Sequence, residues 1–161
     1  MSTKTASVTL AGDHLRFIGR TGSGHRIALD DSTGDTGARP AELIPLALAG
    51  CTAMDVISIL RKKRQEVTRY EVRASAVQAD DSPAVFVRID VVHDVEGTDL
   101  DIEAVRRAIE LSATRYCAVG STLATGLTEI HHRYLVHDGV GGRTSGEVVV
   151  IGPDARAPVL A

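Results

Sequence analysis

The chain is poor in aromatic residues. No tryptophan, three tyrosines and two phenylalanines make up 3% of its 161 residues, so the base-stacking platforms of single-strand nucleic-acid binders are missing and the core must be aliphatic. An excess of either charge is missing too: 18 basic against 21 acidic side chains leave a formal charge of −3, which gives no global field to attract nucleic acid or acidic lipid. Neither nucleic acid nor a membrane is an expected partner. Met1 to Leu10 lacks the basic start and continuous apolar run of a secretory signal, and a cytoplasmic protein is expected. Cysteine is sparse. Cys51 and Cys117 stand 66 positions apart, with no CxxC and no Cys/His cluster of zinc spacing, and in a reducing compartment such a pair is either inert or redox-active.

What is present is a globular chain, 43% hydrophobic and 24% charged, of a length that suits one domain with a real core. Lys4 to Leu10 and Leu15 to Ile18 lean towards β structure around the turn residues Ala11-Gly12-Asp13, which predicts a hairpin. His25 to Leu29 is a third short strand. Asp30 to Arg39 is a polar loop, longer than usual connections, and loops of that length often sit near function. From Pro40 to Arg64 the pattern is helical and apolar on every face between Leu43 and Leu60, which predicts a buried helix. Pro40 suits its first turn and Pro45 predicts a kink or restart, while Arg61-Lys62-Lys63-Arg64 closes it where the helix dipole favours cations.

Thr68 to Val77 and Val85 to Val95 read as an antiparallel pair. Asp99-Leu100-Asp101 with Glu103 opens an amphipathic helix carried by Ile102, Val105, Ile109 and Leu111. A break at Tyr116 to Gly120, a helical turn through Leu123 and a strand from Thr128 to Val136 follow, giving the order β-β-β-α-β-β-α-(α)-β. Residues 1–137 are read as one domain, and 138–161 as a glycine-rich linker and tail. Within that tail Glu147 to Ile151 is strand-like and expected to add to a sheet edge, since an exposed apolar strand is an aggregation hazard.

Cys51 lies mid-way along the apolar helix. It is either a small hydrophobe filling the core or a thiolate, and the second role needs positive charge nearby and another thiol to close a redox cycle. Cys117, at the helix break, is the available second thiol. Asp55, four residues after Cys51, shares its helical face, where a carboxylate opposes thiol ionisation, so it is expected to anchor an arginine or a backbone group. Glu42 is either a dipole-stabilising acid at a helix start or an acid that orients an arginine. His131, His132 and His137 carry no metal spacing, because neighbours on a strand point to opposite faces. No metal or cofactor is expected. No phosphate loop follows the Gly22/Gly24 turn, and no hydrolase elbow is present.

The run Pro40-x-Glu42-Leu43, Leu46-Ala47-Leu48-Ala49-Gly50-Cys51, followed by Leu111-Ser112-x-x-x-Tyr116-Cys117-x-Val119, closely resembles the two cysteine motifs of the OsmC/Ohr family over about residues 4–137. Ser23-Gly24-His25, Asp55 to Leu60 and Arg64-Gln65 are most similar to its YhfA-type branch. The resemblance implies an α+β fold in which curved antiparallel sheets wrap around central helices in an intertwined homodimer. It also implies reduction of organic hydroperoxides, with Cys51 peroxidatic, Cys117 resolving through a disulfide, and a dithiol such as a lipoylated protein as reductant. In well-studied branches a glutamate ten residues before the first cysteine holds the activating arginine; here that position is Ala41 and the nearest acid is Glu42. Arg16 occupies the approximate place of the arginine, with Arg20 and Arg26 equally near. A second reading keeps the fold and makes an apolar interface pocket a binding site for a small hydrophobic or thiol-bearing ligand.

Overall fold

A computed structural model describes residues 1–139 and 141–153; the outer part of the tail, 154–161, and Val140 lie outside the described residues. The chain forms two compact units, Met1–Ile44 and Pro45–Ala161.

The N-terminal unit is a three-stranded antiparallel meander of β1 (Ala6–Leu10), β2 (Phe17–Thr21) and β3 (Arg26–Leu29). Gly12 and Gly24, at φ +102° and +91°, take the left-handed backbone that its two turns require. The long loop that follows is ordered by one buried carboxylate. Asp30 accepts the Thr36 hydroxyl and the backbone N–H groups of Thr36 and Asp31, and these bonds hold its carboxyl below the usual carboxylate range. Ala38 N–H then returns to the Ala28 carbonyl at 3.1 Å. A 3-10 turn at Pro40–Glu42 leads into helix α1, Leu43–Lys62. Pro45 therefore falls in the first turn, where backbone N–H groups lack helical partners anyway: the helix restarts at Leu43.

The second unit is a four-stranded sheet in the order β4 (Glu66–Gln78), β5 (Phe86–Thr98), β6 (Glu129–Asp138), β7 (Arg143–Ile151). Its neighbours pair antiparallel except β5 and β6, which run parallel. The expectation of antiparallel sheets thus needs correcting at one pair. A parallel pair demands a crossover, supplied here by helices α2 (Ile102–Leu111) and α3 (Ala118–Ala124). Asp101 caps α2 by accepting the Glu103 N–H at 2.9 Å. The tail strand β7 lies on β6, from His137↔Arg143 to Ile130↔Ile151.

Alternation builds the core. Ile89, Val91, His93 and Val95 of β5 and Ile130, His132, Tyr134 and Val136 of β6 are buried, the period-two signature of a covered sheet face. Against them α1 sends Leu48, Thr52, Val56 and Leu60, spaced four apart. The segment Pro40–Lys62 is long and apolar enough to cross a membrane by length and composition, yet this row packs with α2 and the sheet as a core helix does. The helix is not covered all round as its composition predicts: Leu46 and Met54 are 64% and 75% exposed. Within the second unit a single layer packs on α1, and it covers one face of the helix.

Candidate active site

Cys51 and Asp55 project one turn apart from the same face of α1. Cys117 reaches them from the far side of a π-helical turn, Ser112–Tyr116, closed by Cys117 N–H on the Ser112 carbonyl at 2.8 Å. Such wide turns recur at functional sites. Here the turn does two things: it buries Ser112 beneath Asp55 and aims the Cys117 sulfur at Cys51. The two sulfurs and an Asp55 carboxylate oxygen all lie within 4.8 Å of one another.

A short relay of hydroxyls fixes the carboxylate. Ser112 Oγ donates to Asp55 Oδ2 at 3.0 Å and lies 2.9 Å from Thr52 Oγ1. Since the serine has one proton to give, Thr52 donates to Ser112. Asp55 was expected to hold an arginine or a backbone group; it holds a buried serine hydroxyl from the second cysteine motif instead. The spacing of Asp55 in its helix could not show this, because the partner is 57 residues away.

The sulfurs are inequivalent. Cys51 is partly exposed, while Cys117 is 1% exposed. Burial pushes the Cys117 thiol up to about 12, with the neighbouring Cys51 thiol adding to the shift and the Gly120 N–H, 3.3 Å from Cys117 Sγ, opposing it. A cleft of about 560 Å³ lined by Asp55, Ser58, Ile59, Lys62, Leu111 and Tyr116 opens beside the carboxylate.

In the N-terminal unit Glu42 is bound to Arg39. Its Oε2 accepts the Arg39 backbone N–H at 2.9 Å and its Oε1 accepts Arg39 Nη1 at 3.1 Å, which holds the Glu42 carboxyl below the usual range. Asp35 takes the other end of the same guanidinium at 3.2 Å. Arg16 donates instead to the Thr36 hydroxyl at 3.1 Å, and Arg20 and Arg26 face each other across β2 and β3. Arg39 was not singled out in the sequence; its i,i+3 spacing to Glu42 at a helix start was the available signal. It also lines an apolar cleft of about 650 Å³ with Val8, Leu15, Phe17, Leu29 and Pro40.

The three histidines are spoken for separately. His131 bonds Glu129 and Glu147, His132 is buried on His93, and His137 Nε2 lies 3.2 Å from Asp94 Oδ1.

This architecture is shared with known proteins. The family model described as OsmC-like protein matches residues 32–132. Protein YhfA of Escherichia coli K12 is 40% identical over 122 residues, 76% of this chain and 90% of YhfA. Among solved structures, an OsmC-like protein from Mycoplasma pneumoniae superposes with a TM-score of 0.72 at 13% identity, covering 84% of this chain and 97% of that one. An organic hydroperoxide resistance protein from Elizabethkingia anophelis does so at 0.59 and 15%, covering 86% and 98%. These place the mixed α+β fold with OsmC and Ohr structures. With the family match spanning more than half of its length, and a relative of this identity aligned over most of it, the chain belongs to the OsmC-like family.

Proposed function

We propose that the protein is a thiol-dependent peroxidase that reduces organic hydroperoxides. The observation that carries this reading is the convergence of Cys51 and Cys117 Sγ, from different elements, within 4.8 Å. The difference between the sulfurs sets the order of events. Cys51 is the one a substrate reaches, and Cys117, buried and held as a thiol, does not compete as the first nucleophile. The Cys51 thiolate attacks the terminal peroxide oxygen and the O–O bond breaks; a proton completes the alcohol, and Cys51 is left as a sulfenic acid. Cys117 sulfur then attacks Cys51 sulfur, hydroxide leaves, and a disulfide and water result.

Asp55 supplies what that second step lacks. Its carboxylate, set by Ser112, takes the proton from the Cys117 thiol and returns it to the departing hydroxide, so no external base is needed. A dithiol reductant, such as a lipoylated protein, regenerates both thiols by exchange. By the family resemblance, Glu42 and Arg16, with Arg20 and Arg26 equally near in the sequence, belong to activation of Cys51. Glu42 holds Arg39, at an apolar cleft of the N-terminal unit, and Arg16 instead donates to Thr36, so Arg39 is the arginine that the family's glutamate–arginine pairing selects in this chain.

The same cleft favours a second reading, a binding protein for a small hydrophobic or thiol-bearing ligand on this fold. Pre-steady-state consumption of cumene hydroperoxide separates the two. Arg39→Ala is expected to slow Cys51 oxidation by about 10²-fold or more and Arg16→Ala by little, while Asp55→Asn leaves Cys51 oxidation intact and slows disulfide closure by about 10²-fold, the scale of one general acid–base group. Consumption no faster than that of a small free thiol, and equal in all variants, would leave the binding reading.

A further inference from the structure

We propose that the reduced protein also holds one thiophilic divalent cation, zinc above all, between Cys51 Sγ, Cys117 Sγ and an Asp55 carboxylate oxygen, with the fourth coordination position facing the cleft beside Asp55. This inference does not need the peroxidase reading. It rests on three donors of the right softness already gathered within 4.8 Å. Two sulfurs and one oxygen bound tetrahedrally to zinc, at roughly 2.3 and 2.1 Å, stand roughly 3.5–3.8 Å apart. The donors, within 4.8 Å of one another, must close by at most about 1.3 Å. The partly exposed Cys51 is the donor with room to do so, by rotation of its side chain.

The surroundings match what such a site requires. Ser112, itself held by Thr52, orients the carboxylate through one oxygen, and the Gly120 N–H already points at Cys117 Sγ. The cleft lined by Asp55, Ser58 and Lys62 supplies an entry path. Charge argues the same way: among the described residues Asp55 makes no ion pair with lysine or arginine, Lys62 lining the same cleft without pairing with it, so a bound dication gives the carboxylate a direct charge partner. Binding converts two S–H groups into two S–metal bonds and releases two protons, and a bound metal deprotonates a coordinating thiol outright. Two sulfurs and an oxygen select zinc over magnesium or calcium. Oxidation to the disulfide removes both sulfur donors, so metal and disulfide exclude each other.

Cobalt(II) chloride, titrated anaerobically into the reduced full-length chain, is the direct probe. One cobalt per chain is expected, with a thiolate-to-cobalt charge-transfer band, tetrahedral visible bands, and displacement by one equivalent of zinc chloride. Cys51→Ser and Cys117→Ser should each abolish the tetrahedral two-thiolate spectrum. Asp55→Asn should keep both thiols and weaken binding at least about tenfold, with circular dichroism confirming that each variant is folded. Absence of a charge-transfer band in the folded wild type overturns the proposal, as does binding that Cys117→Ser or Asp55→Asn leaves unchanged. Because the readout is spectroscopic, a chain inert towards hydroperoxide still gives a decisive result.

Discussion

Tyr70, His93 and His132 form a buried polar chain in the second unit. Tyr70 Oη lies 2.7 Å from His93 Nδ1, and His93 Nε2 lies 3.4 Å from His132 Nδ1. Burial keeps the tyrosine protonated, so it donates to His93, which donates to His132 and leaves His132 Nε2 buried with no partner among the described residues. Desolvation, the first cause, lowers His132 from 6.5 to about 4, with His131 nearby adding to it, and lowers His93 well below the ordinary value. The folded state therefore refuses protons that the unfolded chain accepts below about pH 6.5. Stability from His132 is complete above that pH and is lost as the pH falls towards 4. Urea unfolding at pH 7 and pH 5 should differ by about 2 kcal/mol on this account alone. His132→Leu should flatten that slope, and an unchanged slope would contradict the burial argument. Residue-level roles were only partly legible in the sequence. Both cysteines stood out by motif, but the Asp55–Ser112–Thr52 relay and the three-member Tyr–His–His chain join residues tens of positions apart, which local spacing cannot reveal.

Elements were more legible than residues, because hydrophobic period and turn chemistry are local. The first and third N-terminal strands, the long apolar helix, the Asp101-capped helix and the strand at Glu129–Asp138 follow their patterns closely, whereas the second strand, expected at Leu15 to Ile18, lies two to three residues later at Phe17–Thr21. Strand direction did not, since alternation is the same for parallel and antiparallel pairs. The helix break before Cys117 was visible as a break, though its π-helical geometry was not. The tail strand carries a specific consequence: Val149 is buried, and Ile151 packs on the cluster that contains Cys117, with its Cδ1 3.7 Å from where a Cβ on Gly120 would sit. β7 thus helps to bury the Cys117 thiol. Stopping the chain after Asp138, or the milder Ile151→Ser, should raise the native-state alkylation rate of Cys117 about tenfold, as local opening becomes about 1.4 kcal/mol easier. Mass-resolved iodoacetamide labelling reads this. A rate that neither change moves would show that β7 does not guard the sulfur.

At the scale of the molecule, α1 carries more apolar surface than one chain covers. Leu46, Gly50, Met54 and Ser58 are exposed at four-residue spacing opposite the buried row, and contiguous apolar exposure of this kind marks an association surface. The homodimer implied by the family resemblance is the occupant that fits it. Sedimentation of Met54→Asp and Leu46→Asp should show a shift from dimer to monomer; wild-type monomer at micromolar concentration would contradict it. The chemistry proposed for the chain then rests on its two sulfurs. The decisive measurement is intact mass with thiol counting after one equivalent of cumene hydroperoxide, on wild type, Cys51→Ser and Cys117→Ser. Wild type should lose two hydrogens and both thiols, Cys51→Ser should not react, and Cys117→Ser should stop at an oxygenated Cys51. Slow and equal oxidation of all three would contradict the two-cysteine cycle.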